Sequence, residues 1–269
     1  MKQYQFTGLE INERGDSAYL PPEAMFIETD DVGVPIEDQI DGYQTLNVTG
    51  RELMPYSVSS QAVSGYDGEL FLGADLPKRE LTIKYQLIAS SDQEYREKFA
   101  RLNYLLSPKQ MHFYFFDDPQ FEYVGTLSGA TNPNPGTNVV NSEFTITLLD
   151  PFKRLKNKTI YRGGQSIRIN EPAYYPTVPD KIELTIKSAN NQIEITNFEQ
   201  TISLTGSFSV GDKVTIDFTG DAQILLNSVN RLDLLNLNSD FENFAVKQGS
   251  VITCSNSSNL TLQLRRKEL

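Results

Sequence analysis

One stretch of the chain, residues 76–125, holds a strand, a helix and a second strand in unbroken succession, and it constrains the fold more than any other segment. In residues 79–89 apolar and polar side chains alternate, which predicts a strand with one buried face. Ser91 and Glu94 then have the spacing of a capping box, so a helix is predicted to begin there. Pro108 ends that helix, because proline cannot continue the helical hydrogen bonding.

The helix and the return strand after it carry most of the apolar side chains of this stretch. The helical apolar stripe, which we expect to face the core, consists of Tyr95, Phe99, Leu102 and Leu106. The return strand, residues 110–116, is apolar on both faces, with Met111, Phe113 and Phe115 on one face and His112, Tyr114 and Phe116 on the other. Such a strand is either interior to a sheet or covered by a neighbouring subunit, and both interpretations stay open.

The length of 269 residues predicts two domains, since modules of ~130 residues each bury roughly two thirds of their unfolded surface. We place the boundary where hydrophobic periodicity lapses, which gives domains of residues 1–152 and 153–269. The first domain is β-rich with one helix. In the second, about seven short strands separated by turns predict a β-sandwich. The fold class is therefore mainly β, and the last strand, residues 259–265, either closes the sandwich or returns to the first domain.

Composition excludes several classes of function. One cysteine and one histidine cannot build a zinc tetrahedron, so we expect no metal site. A formal net charge of −11 and an isoelectric point near 4.7 argue against nucleic-acid binding, because affinity for phosphates depends largely on Lys and Arg. The first ten residues lack the apolar core of a signal peptide, and no apolar run reaches the ~20 residues that span a bilayer. We expect a soluble protein made in a cytoplasm, without membrane insertion.

No catalytic arrangement is recognisable, so we expect neither catalytic residues nor cofactors. His112 is the only histidine and lies within the apolar return strand, without a Gly-x-Ser-x-Gly nucleophile motif elsewhere. Asp117 and Asp118 offer a carboxylate pair of the kind glycosidases use, but acids before a proline at a strand end are commonly structural. The acidic segment 30–42 does not follow the spacing of a calcium-binding loop, so a solvated loop is predicted there.

Residues 52–77 are rich in glycine and serine, with a few aromatic side chains among them. Two interpretations stay open for this segment. It is either a mobile surface excursion or a long arm that packs only on a partner.

Several short motifs now resemble one known family when they are taken in order. They are Leu76-Pro77-Lys78-Arg79 before the alternating strand, Asp117-Asp118-Pro119 after the aromatic strand, Asp150-Pro151-Phe152-Lys153, Gly211-Asp212-x-Val214-x-Ile216-Asp217, and Ser239-Asp240-Phe241. Each is weak alone, but their order and spacing resemble the distal tail (Dit) proteins of siphophages over nearly the whole chain.

The resemblance implies a non-enzymatic structural protein at the distal end of a phage tail. Such proteins have an N-terminal belt domain that closes into a six-fold ring around the DNA channel, and a galectin-like C-terminal sandwich that faces outward. The implied partners are further copies of the chain, the tail tube protein, the tail-associated tip or lysin protein, and baseplate or receptor-binding proteins. DNA would pass through without specific binding. In this frame Met111, Phe113 and Phe115 are the candidate ring interface, and residues 52–77 an arm that crosses to the next subunit.

The alternative hypothesis is a lectin that uses the C-terminal sandwich to attach to the host cell wall. Its candidate sugar-binding residues are Tyr174 and Tyr175, because sandwiches often bind sugars on exposed aromatic faces. The lack of tryptophan weakens this hypothesis. A glycosidase or peptidase is a third hypothesis, which the single histidine disfavours.

Overall fold

The computed structural model describes residues 20–29, 32–133, 137–198 and 200–269. The chain divides into two compact units, and the division lies between Lys153 and Arg154. Both units are built mainly from β-strands, which confirms the predicted fold class. None of the helices in the described ranges combines the length and the apolar character needed to cross a bilayer.

The first unit contains strands β1 to β9 and helices α1 and α2. The strands are Met25–Thr29, Val32–Pro35, Tyr43–Thr49, Ser57–Ala62, Glu69–Asp75, Arg79–Ile88, Met111–Phe115, Phe121–Ala130 and Val139–Leu148, and the helices are Ile36–Gln39 and Asp92–Leu105. Seven strands form one antiparallel path in the order β2-β1-β7-β8-β9-β6-β3. Strands β4 and β5 form a separate two-stranded sheet.

Strand β6 is central to the main sheet, and it forms where the alternating pattern predicts it. Leu81 and Ile83 are fully buried, while Glu80 before them and Lys84 after them are exposed. The strand pairs with β9 without interruption from Arg79 to Ile88. Alternation of this kind fixes the register, because a slip of one residue would turn every apolar side chain to solvent.

Helix α2 begins at the predicted cap, with one difference in the donors. The backbone N–H of Glu94 donates to Ser91 Oγ at 3.2 Å. The Glu94 carboxylate accepts from the backbone N–H of Ser90 at 2.7 Å, one residue before the predicted donor. The pKa of Glu94 is lowered to about 2. The largest cause is the hydrogen-bonded ion pair with Lys98, four residues further along the helix, and the hydrogen bonds from Ser90 contribute as well.

The apolar stripe of α2 packs on the core of the first unit, as predicted. Leu102 and Leu106 are buried, and Tyr95 and Phe99 are half-buried against the same cluster. The helix therefore covers one face of the sheet that β6 and β7 belong to.

The acidic segment predicted at residues 30–42 is more ordered than a solvated loop. Residues 30 and 31 lie outside the described residues, but the remainder forms β2 and the short helix α1. Ile36 is fully buried, and Glu37 accepts a hydrogen bond from the Thr45 backbone N–H at 2.8 Å. The sequence did not predict this helix, because its one buried residue, Ile36, is followed by acidic residues and forms no apolar repeat.

The second unit is a two-sheet sandwich, which confirms the architecture predicted for this half. Its strands, β11 to β20 in chain order, are Thr159–Gly163, Ser166–Arg168, Lys181–Ile186, Asn190–Asn197, Gln200–Phe208, Lys213–Asp217, Gln223–Leu226, Val229–Asn230, Val251–Thr253 and Ser257–Leu264. Two short strands, β10 (Lys153–Leu155) and β21 (Lys267–Glu268), pair with each other outside the sheets of the sandwich. One sheet has the order β11-β20-β13-β16-β17-β18 and the other β12-β19-β14-β15.

Side chains from both sheets of the sandwich form one buried cluster, with Leu184 and Leu262 contributed by the first sheet and Ile195 and Leu204 by the second. The strand left unplaced by the sequence is β20, and it lies between β11 and β13 in the larger sheet. This last long strand therefore completes the sandwich.

Candidate assembly surface

An isolated β-hairpin, here called the arm, occupies residues 57–75. Every residue of β4 and most of β5 are exposed, and the two strands pair only with each other among the described residues. The two turn glycines Gly65 and Gly68 have positive φ angles of 82° and 90°, a conformation that favours glycine. A two-stranded hairpin is marginally stable in water, so the arm needs a surface to pack on.

The apolar side chains of the arm are exposed. Val58, Leu70, Phe71 and Leu72 are 62%, 52%, 65% and 59% exposed. A register shift between Ser59 and Ser60 puts Phe71 opposite Ser60 and Leu70 opposite Gln61, so these side chains are distributed over both faces of the hairpin. Contiguous apolar side chains on a surface element mark an interaction site, because their exposure to water is unfavourable.

The base of the arm is attached to the body of the first unit through Arg51. Its guanidinium donates two hydrogen bonds to the Asp117 carboxylate, at 3.0 and 2.9 Å, and lies 4.5 Å from the centre of the Phe115 ring. The bidentate geometry and the cation–π contact both fix the direction in which the chain leaves the sheet. The chain segment that leads into the arm is therefore fixed to the main sheet through Arg51.

The return strand β7 has one face inside the core and one outside. Met111, Phe113 and Phe115, the predicted ring-interface residues, are 1%, 0% and 0% exposed within the single chain. The Phe113 and Phe115 rings both contact the Tyr123 ring, at 5.6 and 5.8 Å between centres. Their own unit already covers these three side chains in the single chain, and their assignment to a ring interface stays a prediction.

The outer face of β7 carries a short row of stacked aromatic rings. Tyr114 stacks on Phe26 with 4.8 Å between ring centres, and Phe116 stacks on Phe26 at 6.1 Å. Phe116 is 49% exposed. The residues that make β7 look apolar on both faces are thus divided between the core and this partly exposed row.

Beyond this aromatic row, the outer face brings together three possible metal ligands. Glu28 on β1, His112 on β7 and Glu122 on β8 place one ligand atom each within 4.8 Å of the others. The sequence predicted no metal site, because one cysteine and one histidine cannot build a zinc tetrahedron and segment 30–42 lacks the spacing of a calcium-binding loop. The two glutamates come from strands far apart in the chain, and no spacing rule connects them to His112.

Asp117 and Asp118 have structural partners at the end of β7. Asp117 pairs with Arg51, and Asp118 accepts a hydrogen bond from Lys153 Nζ at 2.6 Å. The same ammonium lies 4.5 Å from the centre of the Phe121 ring. Both carboxylates therefore anchor neighbouring segments, which is the structural interpretation of this acid pair.

In the second unit, Tyr174 is 68% exposed and Tyr175 is half-buried. A shallow groove of about 200 Å³ lies on the larger sheet of the sandwich, and it is lined by Glu183, Leu184, Thr185, Lys213, Val214, Thr215, Asn259 and Thr261. The lining is mostly polar and contains no aromatic ring. The two tyrosines, predicted as sugar-binding residues, are outside this groove.

Comparisons with known proteins agree with this two-unit architecture. Residues 25–149 match the phage tail protein RIFT-related domain, and residues 173–267 match the C-terminal domain of the siphovirus-type tail component, the Dit family of phage SPP1. The crystal structure of SPP1 Dit (gp 19.1) superposes with a TM-score of 0.74 at 18% identity, covering 91% of this chain and 99% of that one. The phage P2 baseplate in its activated conformation with Ca gives a TM-score of 0.48 at 10% identity, over 91% and 98%. No curated protein matches the sequence significantly.

The two β-rich units and the two matched domains define a structural protein of a phage tail. The chain belongs to the siphovirus-type tail component family, the Dit family, and is a component of the virion.

Proposed function

We propose that this protein is the distal tail hub, a ring that connects the tail tube to the proteins of the tail tip. The observation that carries the proposal is the arm, whose apolar side chains are exposed in the single chain. The similar SPP1 protein is described as a paradigm of the hub of the adsorption apparatus in phages that infect Gram-positive bacteria. This supports a hub role for the present chain.

A second copy of the chain is the occupant that we propose for the arm. Each copy carries exposed apolar side chains on the arm, at Val58, Leu70 and Leu72, and a partly exposed aromatic row that includes Phe116. Contacts between two different surfaces of the same chain are heterologous, and they close into a ring when the rotation between copies is right. Met111, Phe113 and Phe115 support that ring from inside, by fixing the strand that presents Phe116.

The ring has six copies in this proposal and no enzymatic activity. Its partners are the tail tube protein on one side and, on the other, the tail-associated tip or lysin protein and the baseplate or receptor-binding proteins, with the sandwich as a docking surface. The acidic chain, with 24 Lys and Arg against 35 Asp and Glu, lets DNA pass through the channel without adhering.

The test combines light scattering after size exclusion with negative-stain imaging. Wild-type protein is expected to form six-fold rings, alone or after addition of the tail tube protein. The double variant Leu70→Ser, Leu72→Ser is expected to stay monomeric with an unchanged circular dichroism spectrum, because both side chains are already exposed.

A matched control carries Val210→Ser and Leu237→Ser, two exposed apolar positions of the second unit, and should assemble like wild type. Monomeric wild-type protein under both conditions would contradict the ring. If the arm variant forms rings, the proposed role of the arm is contradicted, but the proposal of a ring is still supported.

Carbohydrate binding by the second unit stays a prediction, and the exposed ring of Tyr174 is the observation that favours it. Titration with host cell-wall polysaccharide tests it. Polysaccharide binding that is lost in Tyr174→Ala and kept in Val210→Ser would support the lectin hypothesis. Absence of polysaccharide binding by the wild-type protein would contradict it.

A further inference from the structure

Three potential ligands from three neighbouring strands converge on the outer face of the main sheet. Glu28 continues the β1–β7 pairing one step beyond Ile27 and Phe113, which places it beside His112. Glu122 lies diagonally across the β7–β8 pair, and its Oε2 is 3.3 Å from His112 Nδ1. One ligand atom of each residue lies within 4.8 Å of the other two.

We infer that Glu28, His112 and Glu122 form a binding site for a divalent transition-metal ion, with Zn²⁺ as the best candidate. Zn²⁺ binds imidazole nitrogen and carboxylate oxygen at about 2.0–2.2 Å, so adjacent ligand atoms in its tetrahedron lie roughly 3.3–3.6 Å apart. The His112–Glu122 distance already has this value. Glu28 lies on the strand that directly adjoins that of His112, and its ligand atom is within 4.8 Å of the other two.

The kind of ion follows from the ligand set. Ca²⁺ and Mg²⁺ take oxygen ligands, and an imidazole nitrogen is a poor substitute. Nitrogen mixed with carboxylate oxygen suits Zn²⁺ and its first-row neighbours, whose affinities follow the Irving–Williams order. Three protein ligands leave a fourth position to water, and the half-exposed His112 side chain gives the ion access from solvent.

This site is a property of the single chain and goes beyond the proposed ring. A bound ion would join β1, β7 and β8 on the face opposite to Phe113 and Phe115. The competing account is the contact between His112 Nδ1 and Glu122 Oε2 alone, without any metal, and metal titration separates the two.

The test is calorimetric titration of the full chain, without a histidine tag, with ZnCl₂. We expect one ion per chain for wild type, no specific binding for His112→Gln, and at least about tenfold weaker binding for Glu28→Gln and for Glu122→Gln. Glu80→Gln, an exposed glutamate on β6, is the matched control and should bind as wild type does.

The single histidine of the chain supplies a second, independent readout. Its imidazole NMR signals should shift with Zn²⁺ and broaden with one equivalent of Co²⁺, while excess Ca²⁺ leaves them unchanged. Equal Zn²⁺ affinity in wild type and His112→Gln would overturn the site and show diffuse binding to an acidic surface. Absence of any Zn²⁺ binding, or displacement of Zn²⁺ by equimolar Ca²⁺, would overturn it as well.

Discussion

Arg51 donates two hydrogen bonds to Asp117, a residue 66 positions further along the chain, and so ties the base of the arm to the end of β7. Asp117→Asn keeps the size of the side chain but removes the charge that makes the pair bidentate. We expect a loss of about 1 kcal/mol in the free energy of unfolding, because the pair is partly exposed. We also expect weaker ring formation, since the arm loses its fixed direction.

Chemical denaturation and light scattering measure these two effects. Glu80→Gln, which removes an exposed pair with Lys78, is the control and should change the unfolding free energy by less than ~0.5 kcal/mol. Unchanged stability and unchanged assembly in Asp117→Asn would show that Arg51 does not position the arm.

The neighbouring residues Phe115 and Phe116 separate the inner face of β7 from its outer face. Phe115→Ala should cost ~3–5 kcal/mol, because it empties a fully buried site, whereas Phe116→Ala should cost less than ~1 kcal/mol. Urea unfolding of both variants gives the comparison. If Phe116→Ala keeps its stability but loses the ring, the outer face of β7 is the contact; if it keeps both, the contact lies elsewhere.

Glu37 predicts a specific pH dependence of stability. Burial is the largest cause that raises the pKa of this carboxyl, and the hydrogen bond from the Thr45 backbone opposes the rise. Below the unfolded value of 4.5 the carboxyl is protonated in both states. As the pH rises through 4.5 towards the raised folded value, the unfolded chain releases the proton first, so this residue's contribution to stability is lost.

Glu37→Gln removes that titration. The stability of the variant relative to wild type should therefore increase from pH 4.5 upwards and then level off, while the two proteins remain parallel at lower pH. Thermal unfolding over a pH series measures the difference. A relative stability that does not change with pH would mean that Glu37 titrates alike in both states.

Ser91 tests the start of α2. Ser91→Ala should cost ~1 kcal/mol, since the Glu94 backbone N–H loses its acceptor, and Ser91→Gly should cost only a few tenths. Ser107→Ala, at the other end of the helix, is a comparison that removes a hydroxyl but no N-cap. Equal losses for Ser91→Ala and Ser107→Ala would argue against a specific capping role.

Cys254 reports on the second unit alone. It is 1% exposed, and burial raises the pKa of its thiol, so little thiolate is present or accessible. Labelling with a thiol reagent should be at least ~10²-fold slower in the native protein than in urea, because the sandwich must open first. Rapid native labelling would show that the β19 region opens without unfolding of the sandwich.

Local patterns in the sequence were sufficient to determine many of the elements. The alternation in β6, the Ser91 cap and the apolar stripe of α2 each depend on neighbours within a few residues, so their structure follows from short-range chemistry. The turns and strands of the second half predicted a sandwich for the same reason. The order of several short motifs also indicated the family, which the domain matches confirm.

Tertiary structure decided which surfaces are available for contact. Phe113 and Phe116 are both aromatic residues of one apolar segment, yet only the layer of side chains around Tyr123 determines that the first is core and the second is exposed. The glycine-rich segment, residues 57–75, forms an isolated hairpin because its two strands pair with each other and with no other described strand. Glu28, His112 and Glu122 meet because the pairing of β1, β7 and β8 brings distant parts of the chain side by side, and no local pattern encodes that proximity.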